Sequence, residues 1–146
     1  MVLQPSCIFC QIISGKAEAS IVYKDEIVTT FMDIQPLFQG HLLIVPNDHY
    51  IGLADLDDHY GRHMFVIARQ LAHALRRSSL NCEGVNLFLA DGSAAGQDVF
   101  HSHLHVIPRN AGDGFRIQHP AGYGDRPTRP ALNDVAEQLR CALDNE

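Results

Sequence analysis

Basic residues are scarce in this chain of 146 residues, which has 11 lysines and arginines against 17 aspartates and glutamates. The formal net charge is −6, and the basic residues are scattered along the chain. Nucleic-acid backbones and anionic membranes are bound by clustered positive charge. We therefore expect neither as a partner, and we expect any anionic ligand to be small and held by a local site.

Long apolar runs are also missing. No stretch approaches the roughly 20 apolar residues that cross a bilayer as a helix. Residues 1–15 contain no lysine or arginine that would begin a secretory signal. These absences predict a cytoplasmic protein with no membrane partner. The four cysteines are then expected to be thiols or metal ligands, because disulfides are rare in the cytosol.

Low-complexity tracts and blocks of like charge are absent too, and 46% of the residues are hydrophobic. This composition is typical of a globular protein. The length is that of one ordinary domain. We predict a single domain over residues 1–146, with residues 109–146 as a C-terminal extension.

Short periodic segments predict the secondary structure. In chain order we expect a helical turn at residues 8–13, a β-hairpin around residues 24–26, a buried strand "GHLLIVP", a long helix from Asp55 to Ser78, a strand "GVNLFLA", a strand ending near Pro108, an irregular segment at residues 110–130, and an amphipathic helix at about residues 132–143. Several strands are joined by short turns. This pattern favours an α+β fold, in which an antiparallel five-stranded sheet carries the helices on one side.

The stretch "FHSHLHVIPR" is the most unusual one, because His101, His103 and His105 occupy every second position. If the stretch is a strand, the three imidazoles line one face, and Ser102 and Leu104 point to the other. Such a row can hold a catalytic metal, or one neutral imidazole can attack phosphorus. Histidines without any role are the third possibility. The preceding loop "DGSAAGQD" has glycines and backbone N–H groups that can hold phosphate oxygens.

"GQDVFHSHLHVIPR" resembles the signature of the histidine triad family of nucleotide hydrolases and transferases. "CIFCQIISGKAEASIVYKDE", "FMDIQPLFQGHLLIVPNDHY" and "LADGSAAGQ" resemble further family segments in the expected order, so the resemblance covers about residues 7–109. The chain is similar to small bacterial-type nucleoside phosphoramidases, and "PRNAGD" is similar to a segment of dinucleoside polyphosphate hydrolases. The resemblance implies the family fold and a homodimer, in which the long helix and "NLFLA" meet their symmetry mates.

The resemblance also implies catalytic roles for all three histidines of the triad. His103 is the expected nucleophile, which attacks the α-phosphorus to form a covalent nucleotidyl-imidazole that water then cleaves. His105 is expected to contact the phosphate and the leaving group. His101 is expected to hold the triad strand in position.

Nucleotide binding is implied for a second set of residues. Asp33 is expected to accept hydrogen bonds from the ribose hydroxyls, and Phe31 and Ile34 are expected to line a pocket for a purine base. Gln97 and the loop amides are expected to bind the α-phosphate beside His103 and His105. The expected ligand is therefore a purine nucleotide.

Cys7 and Cys10 form half of a four-ligand zinc site. Two buried thiols in an apolar helical turn are the alternative interpretation. The resemblance implies that His49 and His101 complete the site, which would be closed and therefore structural. The remaining cysteines are interpreted as ordinary thiols, and the remaining histidines as surface residues: Cys82, Cys141, His41, His59, His63, His73 and His119.

Two positions depart from the family pattern. Asp98 lies among the expected nucleotide-binding residues, where many members have Ser or Thr, and a carboxylate there repels phosphate unless it is protonated, turned away or paired, for example with Arg109. Ala90 replaces a side-chain amide. These departures leave three functions open: a phosphoramidate hydrolase, a dinucleoside polyphosphate hydrolase, and a nucleotide-binding regulator with little turnover. A zinc hydrolase acting on other substrates is a further rival.

Overall fold

The structure is a computed structural model that describes residues 2–143, with five strands and three α-helices in that range. In chain order they are α1 (Ile8–Ile13), β1 (Ile21–Lys24), β2 (Val28–Met32), β3 (Leu42–Pro46), α2 (Asp58–Arg77), β4 (Gly84–Phe88), β5 (Leu104–Arg109) and α3 (Arg129–Leu143). A short 3-10 turn at Ser93–Ala95 lies in the loop before β5. The predicted α+β fold is confirmed.

The five strands form one antiparallel sheet in the order β1-β2-β3-β5-β4. β3 is the central strand, and all five of its residues are buried. It pairs with β2 on one side and with β5 on the other, so that Leu43 lies opposite His105. This pairing brings the C-terminal half of the histidine motif to the middle of the sheet.

Helices cover both faces of the sheet, although the sequence predicted them on one side. The apolar stripe of α2 packs against one face, where Leu42 and Ile44 of β3 are buried. α1 packs against the other face through Phe9 and Ile13, beside Leu43 and Val45. Alternate residues of β3 therefore belong to different cores, which explains why the strand reads as a continuous apolar run.

The long helix α2 is three residues shorter at its start than the sequence predicted. Asp57 caps the helix, because its side chain accepts a hydrogen bond from the backbone N–H of His59. Asp55 instead accepts hydrogen bonds from the backbone N–H groups of Ile51 and Gly52 in the preceding loop. Acidic residues before a helix can thus belong to the connecting loop.

The chain divides into two compact units, the first ending at Asp113 and the second beginning at Gly114. The second unit holds α3, which starts three residues earlier than predicted. Pro130 fits the first turn of this helix, where its missing N–H is not needed. Within residues 2–143 no helix combines the length and the apolar character needed to span a bilayer.

Candidate active site and metal centre

Cys7, Cys10, His49 and His101 come together between α1 and the sheet, with their ligand atoms all within 4.8 Å of one another. The Sγ of Cys10 lies 3.3 Å from Nδ1 of His49 and 3.5 Å from Nδ1 of His101, and the Sγ of Cys7 lies 3.4 Å from the latter atom. A tetrahedral zinc ion with bonds of about 2.3 Å to sulfur and about 2.0 Å to nitrogen separates such ligands by about 3.5 Å. The donor set and its spacing fit zinc.

The buried ring of His101 has the tautomer that a metal ligand needs. Its Nε2 lies 3.0 Å from the carbonyl oxygen of Pro46, so Nε2–H donates and the lone pair of Nδ1 faces the cysteines. Metal-bound histidines characteristically donate their other N–H to such a carbonyl. Burial lowers the pKa of His101 to about 4, which keeps the ring neutral at pH 7.

His103 is buried, and its ring orientation is fixed from two sides. Its Nδ1 lies 2.7 Å from the carbonyl oxygen of His101, which can only accept a hydrogen bond. Phe9 meets the ring edge to face, with 5.2 Å between the ring centroids. The proton is therefore on Nδ1, and the lone pair of a neutral His103 is on Nε2.

His41 is buried, so the prediction that it is a surface residue is wrong. Its Nδ1 accepts a hydrogen bond from the backbone N–H of Leu37 at 3.1 Å, and its Nε2 lies 2.9 Å from Nδ1 of His105. A neutral His41 must then donate Nε2–H to His105, which in turn carries its own proton on Nε2. Burial, reinforced by the charges of neighbouring histidines, lowers the pKa of His105 to about 4. The pair delivers a neutral N–H donor beside His103.

Asp33 joins this pair, since its Oδ2 lies 3.5 Å from Nε2 of His41 and 3.8 Å from Nδ1 of His105. Two histidines and one carboxylate in such an arrangement can bind a metal. Here, however, the N–H of Leu37 occupies Nδ1 of His41, so a metal at Nε2 would require an imidazolate. The geometry favours a hydrogen-bonded relay over a second metal site.

A cavity of about 640 Å³ opens beside these groups, within the range of small-molecule sites, about 300–1,000 Å³. Residues of α1 and β2 supply much of its apolar wall, and the histidines and carboxylates supply its polar groups. Its lining includes Ile8, Phe9, Ile12, Phe31, Asp33, Ile34, Leu43, Asp98, Val99, His103 and His105. The cavity can hold a ligand with a flat apolar part next to His103.

The structure brings most of the predicted nucleotide-binding residues to this cavity. Phe31 is buried in the wall, whereas Ile34 lines the cavity with 96% of its surface exposed. Gln97 is buried and uses its side-chain amide within the loop, accepting from the N–H of Gly92 at 2.8 Å and donating to the carbonyl oxygen of Ile51 at 2.6 Å. Its contact with a phosphate stays a prediction.

The two departures from the family pattern have different surroundings. Ala90 is buried. Asp98 is exposed at the rim of the cavity, and its carboxylate accepts a hydrogen bond from the N–H of Val99 at 2.9 Å. Arg109, the partner considered for Asp98, forms an ion pair with Asp113 at 2.7 Å.

The three histidines lie on the α1 side of the sheet, as the alternation predicted, but only His105 lies within a strand. β5 begins at Leu104, and Ser102 is buried together with the two histidines beside it. The N–H of Ser102 donates to the carbonyl oxygen of Tyr50 at 2.6 Å, which binds this segment to a loop and not to a neighbouring strand. At one end of this row His101 reaches the cysteines, and next to it His103 and His105 line the cavity.

His63 also differs from its prediction as a surface residue. It is half-buried, and its Nε2 lies 2.6 Å from Oδ2 of Asp25 in the β1–β2 turn. His59, His73 and His119 are exposed, as predicted. His41 shares the alternation of Leu43 and Val45 and so points to the α1 face. Its position directly before the continuous apolar run of β3 is the sequence signal that could have identified it as buried.

Comparison with known proteins gives a consistent picture. A model of the HIT domain matches residues 14–112. An uncharacterised HIT-like protein of Borreliella burgdorferi is 42% identical over 75% of this chain and 79% of its own length. The adenylylsulfatase HINT3 of Arabidopsis thaliana is 34% identical over 76% of this chain and 56% of its own length.

Solved structures are similar over nearly the whole chain. A HIT family protein from Bacillus anthracis has a TM-score of 0.84 at 35% identity, covering 94% of this chain and 97% of its own. A zinc-bound histidine triad family protein from Mycobacterium smegmatis has a TM-score of 0.75 at 37% identity, covering 91% and 97%. A histidine triad nucleotide-binding protein from Candida albicans has a TM-score of 0.83 at 29% identity, covering 96% and 99%.

Proposed function

Since this chain belongs to the HIT domain family, we propose that it is a nucleotide hydrolase or nucleotidyl transferase that cleaves at the α-phosphate of a purine nucleotide conjugate. The observation that carries the proposal is the hydrogen bond from Nδ1–H of His103 to the carbonyl oxygen of His101, which leaves Nε2 as the nitrogen that can attack from the wall of the cavity. A phosphoramidate or a similar conjugate is the proposed substrate, and a nucleoside monophosphate is the product.

The apolar wall supports a base site. Phe9 and Phe31 meet edge to face, with 5.5 Å between ring centroids, and Ile34 stands exposed at the rim. Such a surface suits the flat face of a purine. Asp33 lines the same cavity and can accept hydrogen bonds from the ribose hydroxyls. This assignment separates the nucleoside from the reacting phosphate.

The proposed reaction has two displacements. First, Nε2 of His103 forms a bond to the α-phosphorus, while the bond from phosphorus to the leaving group breaks and the leaving group keeps the electron pair. The Nε2–H of His105 stabilises the phosphate oxygens or protonates the leaving atom. Water then attacks the same phosphorus, its proton passes to the nitrogen of His105 that protonated the leaving atom or to solvent, and the bond to His103 breaks to release the monophosphate.

The proposed cofactor is one structural zinc ion per chain, held by Cys7, Cys10, His49 and His101. Four protein ligands close the coordination sphere, so the ion would supply rigidity without activating water. The donation from His101 Nε2–H to Pro46 leaves its Nδ1 ready for the metal. The same residue offers its carbonyl oxygen to His103. His101 is thus proposed to position the nucleophile without contacting substrate.

Two alternative functions can be distinguished by the same experiment. Dinucleoside polyphosphate hydrolysis would use the same nucleophile with a more anionic leaving group. A nucleotide-binding regulator with little turnover is favoured by Asp98 and Ala90, which offer no donor side chain to a phosphate. Adenylyl sulfate joins the panel of substrates, because a relative carries the name adenylylsulfatase.

The test is turnover of adenosine 5′-phosphoramidate, diadenosine tri- and tetraphosphate and adenylyl sulfate by the wild type and His103→Ala, with intact mass recorded on quenched samples. AMP release that vanishes in the variant, with an adenylyl adduct on the wild type, supports the proposal. His73→Ala is the matched control, since His73 is exposed on α2. Wild-type turnover no better than that of His103→Ala, with AMP still bound, would establish the regulator instead.

We also propose a homodimer built on α2 and β4. β4 is an edge strand of the described sheet, and exposed edges are open to pairing with another chain. Large apolar side chains are exposed on both elements, with Phe65 63%, Val66 43% and Phe88 52% exposed.

Light scattering should give twice the mass of one chain for the wild type. Phe65→Asp should reduce the measured mass to that of a single chain. Ile117→Asp, on the irregular segment, is the control; a wild-type monomer at every concentration contradicts the dimer.

A further inference from the structure

The polar lining of the cavity is unusual for a site that receives phosphates. Among the described residues that line it, Glu18, Asp33 and Asp98 carry carboxylates, and none is a lysine or an arginine. Burial lowers the pKa of His105 to about 4, so this ring adds no positive charge at pH 7. The cavity wall is therefore net negative.

Asp98 is the carboxylate that lines the cavity from the loop before β5. It lies three positions before His101 and shares the cavity with His103 and His105. Its charge acts on the ring of His105, where it favours protonation. Asp33, by contrast, lies beside His41 and His105 and accepts a hydrogen bond from the backbone N–H of Gln35 at 2.8 Å. Asp98 is exposed and remains accessible to a ligand group.

The nucleoside part and the leaving group must lie on different sides of the phosphorus. If the base occupies the apolar wall of α1 and β2, the group that departs from phosphorus faces the loop that carries Asp98. A polyphosphate or sulfate there brings negative charge against a carboxylate, whereas an ammonium group gains an attractive interaction. The carboxylate of Asp98 at the rim of the cavity therefore distinguishes leaving groups by their charge.

We propose that Asp98 is a specificity-determining residue that selects substrates with a cationic group on the leaving side and rejects anionic ones. The inference rests on the proposed function. It narrows the substrate class to nucleoside 5′-phosphoramidates of amines that carry a second, protonated amine. It also disfavours dinucleoside polyphosphates, although their α-phosphorus could be attacked in the same way.

Three matched conjugates isolate charge from bond type. AMP is joined through a P–N bond to putrescine, butylamine or γ-aminobutyrate, whose four-carbon chains end in a cation, a neutral group and an anion. For the wild type we expect kcat/KM to fall by about tenfold from cation to neutral and again from neutral to anion, the size expected of one screened charge. Asp98→Asn and Asp98→Ser should each bring the three values together.

Two controls accompany the variants. Glu26→Gln removes an exposed carboxylate outside the cavity lining and should keep the wild-type order. High salt should compress the order in the wild type, because an exposed charge is screened over about 10 Å at 0.1 M ionic strength. Glu26→Gln should not alter the rate for the butylamine conjugate, and salt should change that rate less than the ratio between the putrescine and γ-aminobutyrate conjugates.

The outcomes separate the inference from the function beneath it. Turnover that ignores the distal charge, or an order that survives in Asp98→Asn, overturns the role of Asp98 and leaves the hydrolase intact. Absence of turnover for every conjugate overturns the hydrolase. In that case calorimetry on His103→Ala tests the role of Asp98 by binding alone. Tighter binding of the putrescine conjugate than of the other two, lost when Asp98→Asn is added, supports the inference. Equal affinities for the three conjugates refute it.

Discussion

At the scale of single residues, proton positions determine what each histidine can do. His101, His103 and His105 differ less in sequence context than in the atom that faces each ring nitrogen. A backbone carbonyl fixes His101 and His103, whereas His41 fixes His105. The tautomers follow from these neighbours, so one residue type supplies the proposed metal ligand, the proposed nucleophile and a hydrogen-bond donor.

Replacing His41 tests the relay. His41→Phe keeps a ring but removes the donor to His105 and the acceptor for Leu37, so His105 is no longer held with its proton on Nε2. We expect kcat to fall by about 10- to 100-fold, the usual cost of losing such a supporting partner, with KM almost unchanged. Steady-state kinetics measure kcat and KM separately.

His41→Gln is the conservative variant, because its amide N–H can still donate to His105. It should recover part of kcat, and His73→Ala should match the wild type. A rise of KM without a fall of kcat would mean that His41 shapes the nucleotide site instead of orienting His105.

The residue scale also separates what the sequence could predict from what it could not. The sequence could predict that Asp33, Phe31, Ile34 and Asp98 share one site, because the segments that carry them occur in the same order as in the histidine triad family. Gln97 carries the same kind of signal, yet its amide is hydrogen-bonded to Gly92 of its own loop and to Ile51 of the loop after β3. Hydrogen-bond competition of this kind depends on loop coordinates that no spacing encodes.

At the scale of elements, the β1–β2 turn is linked to α2 through Asp25. Burial alone would raise the pKa of this carboxyl, but hydrogen bonds from the N–H groups of Val28 and Ile27 and the contact with His63 outweigh it and lower the pKa to about 2. The carboxylate is therefore more stable in the folded protein than in the unfolded chain.

Asp25→Ala should consequently destabilise the protein at pH 7. A fall in pKa from 3.8 to about 2 corresponds to about 2 kcal/mol of unfolding free energy. Because the folded-state pKa is depressed, this stability is complete above about pH 4 and is lost as the pH falls toward 2. Urea unfolding of chelator-treated protein at several pH values measures the gap in unfolding free energy between the variant and the wild type.

Asp25→Asn is the control for that experiment. An amide oxygen can still accept from Val28 and Ile27, so this variant should lose less stability than Asp25→Ala. A gap that stays constant from pH 7 to about pH 2 would show that lost packing, not ionisation, causes the effect.

The metal centre joins α1 to the loop after β3 and to the segment before β5. We expect one zinc per chain by elemental analysis, and we expect Cys10→Ser to lose it and to lower the melting temperature. Cys82→Ser is the control, since Cys82 is buried and donates to the carbonyl oxygen of Gly84 at 3.0 Å. Equal zinc content in both variants would contradict the proposed ligand set.

The sequence predicted most elements because their patterns are local. α1 and the hairpin form where the sequence predicted them, and α2 differs only at its ends. The start of β5 was missed, because the segment around Ser102 is held by Tyr50, a partner 52 positions earlier in the chain. The second apolar face of β3 was missed because alternation within a continuous apolar run cannot assign sides.

At the scale of the whole molecule, the boundary at Asp113 separates two parts of different character. The family match ends at residue 112. Beyond it lie a segment rich in glycine and proline and the helix α3, which has no buried residue among those described. The sequence predicted one domain with an extension, and the contacts divide the chain close to where that extension was expected to begin.

Limited proteolysis tests this boundary. Arg116 is exposed in the stretch without helix or strand and is followed by Ile117, and such segments are cut first. Trypsin should therefore cut there before it cuts α2, although exposed arginines are present on that helix as well. Mass spectrometry of early time points identifies the sites; early cleavage after Arg69 or Arg76 would contradict the assignment.

The carbonyl of His101 has a practical consequence for anyone who purifies this protein. The residue that completes the metal centre is also the one that orients His103. Preparations that differ in zinc occupancy, for example after passage over a chelating resin, should therefore differ in specific activity per milligram. If the proposed activity is expressed per bound zinc, the same preparations should agree, and metal content is then the quantity by which batches of this protein should be standardised.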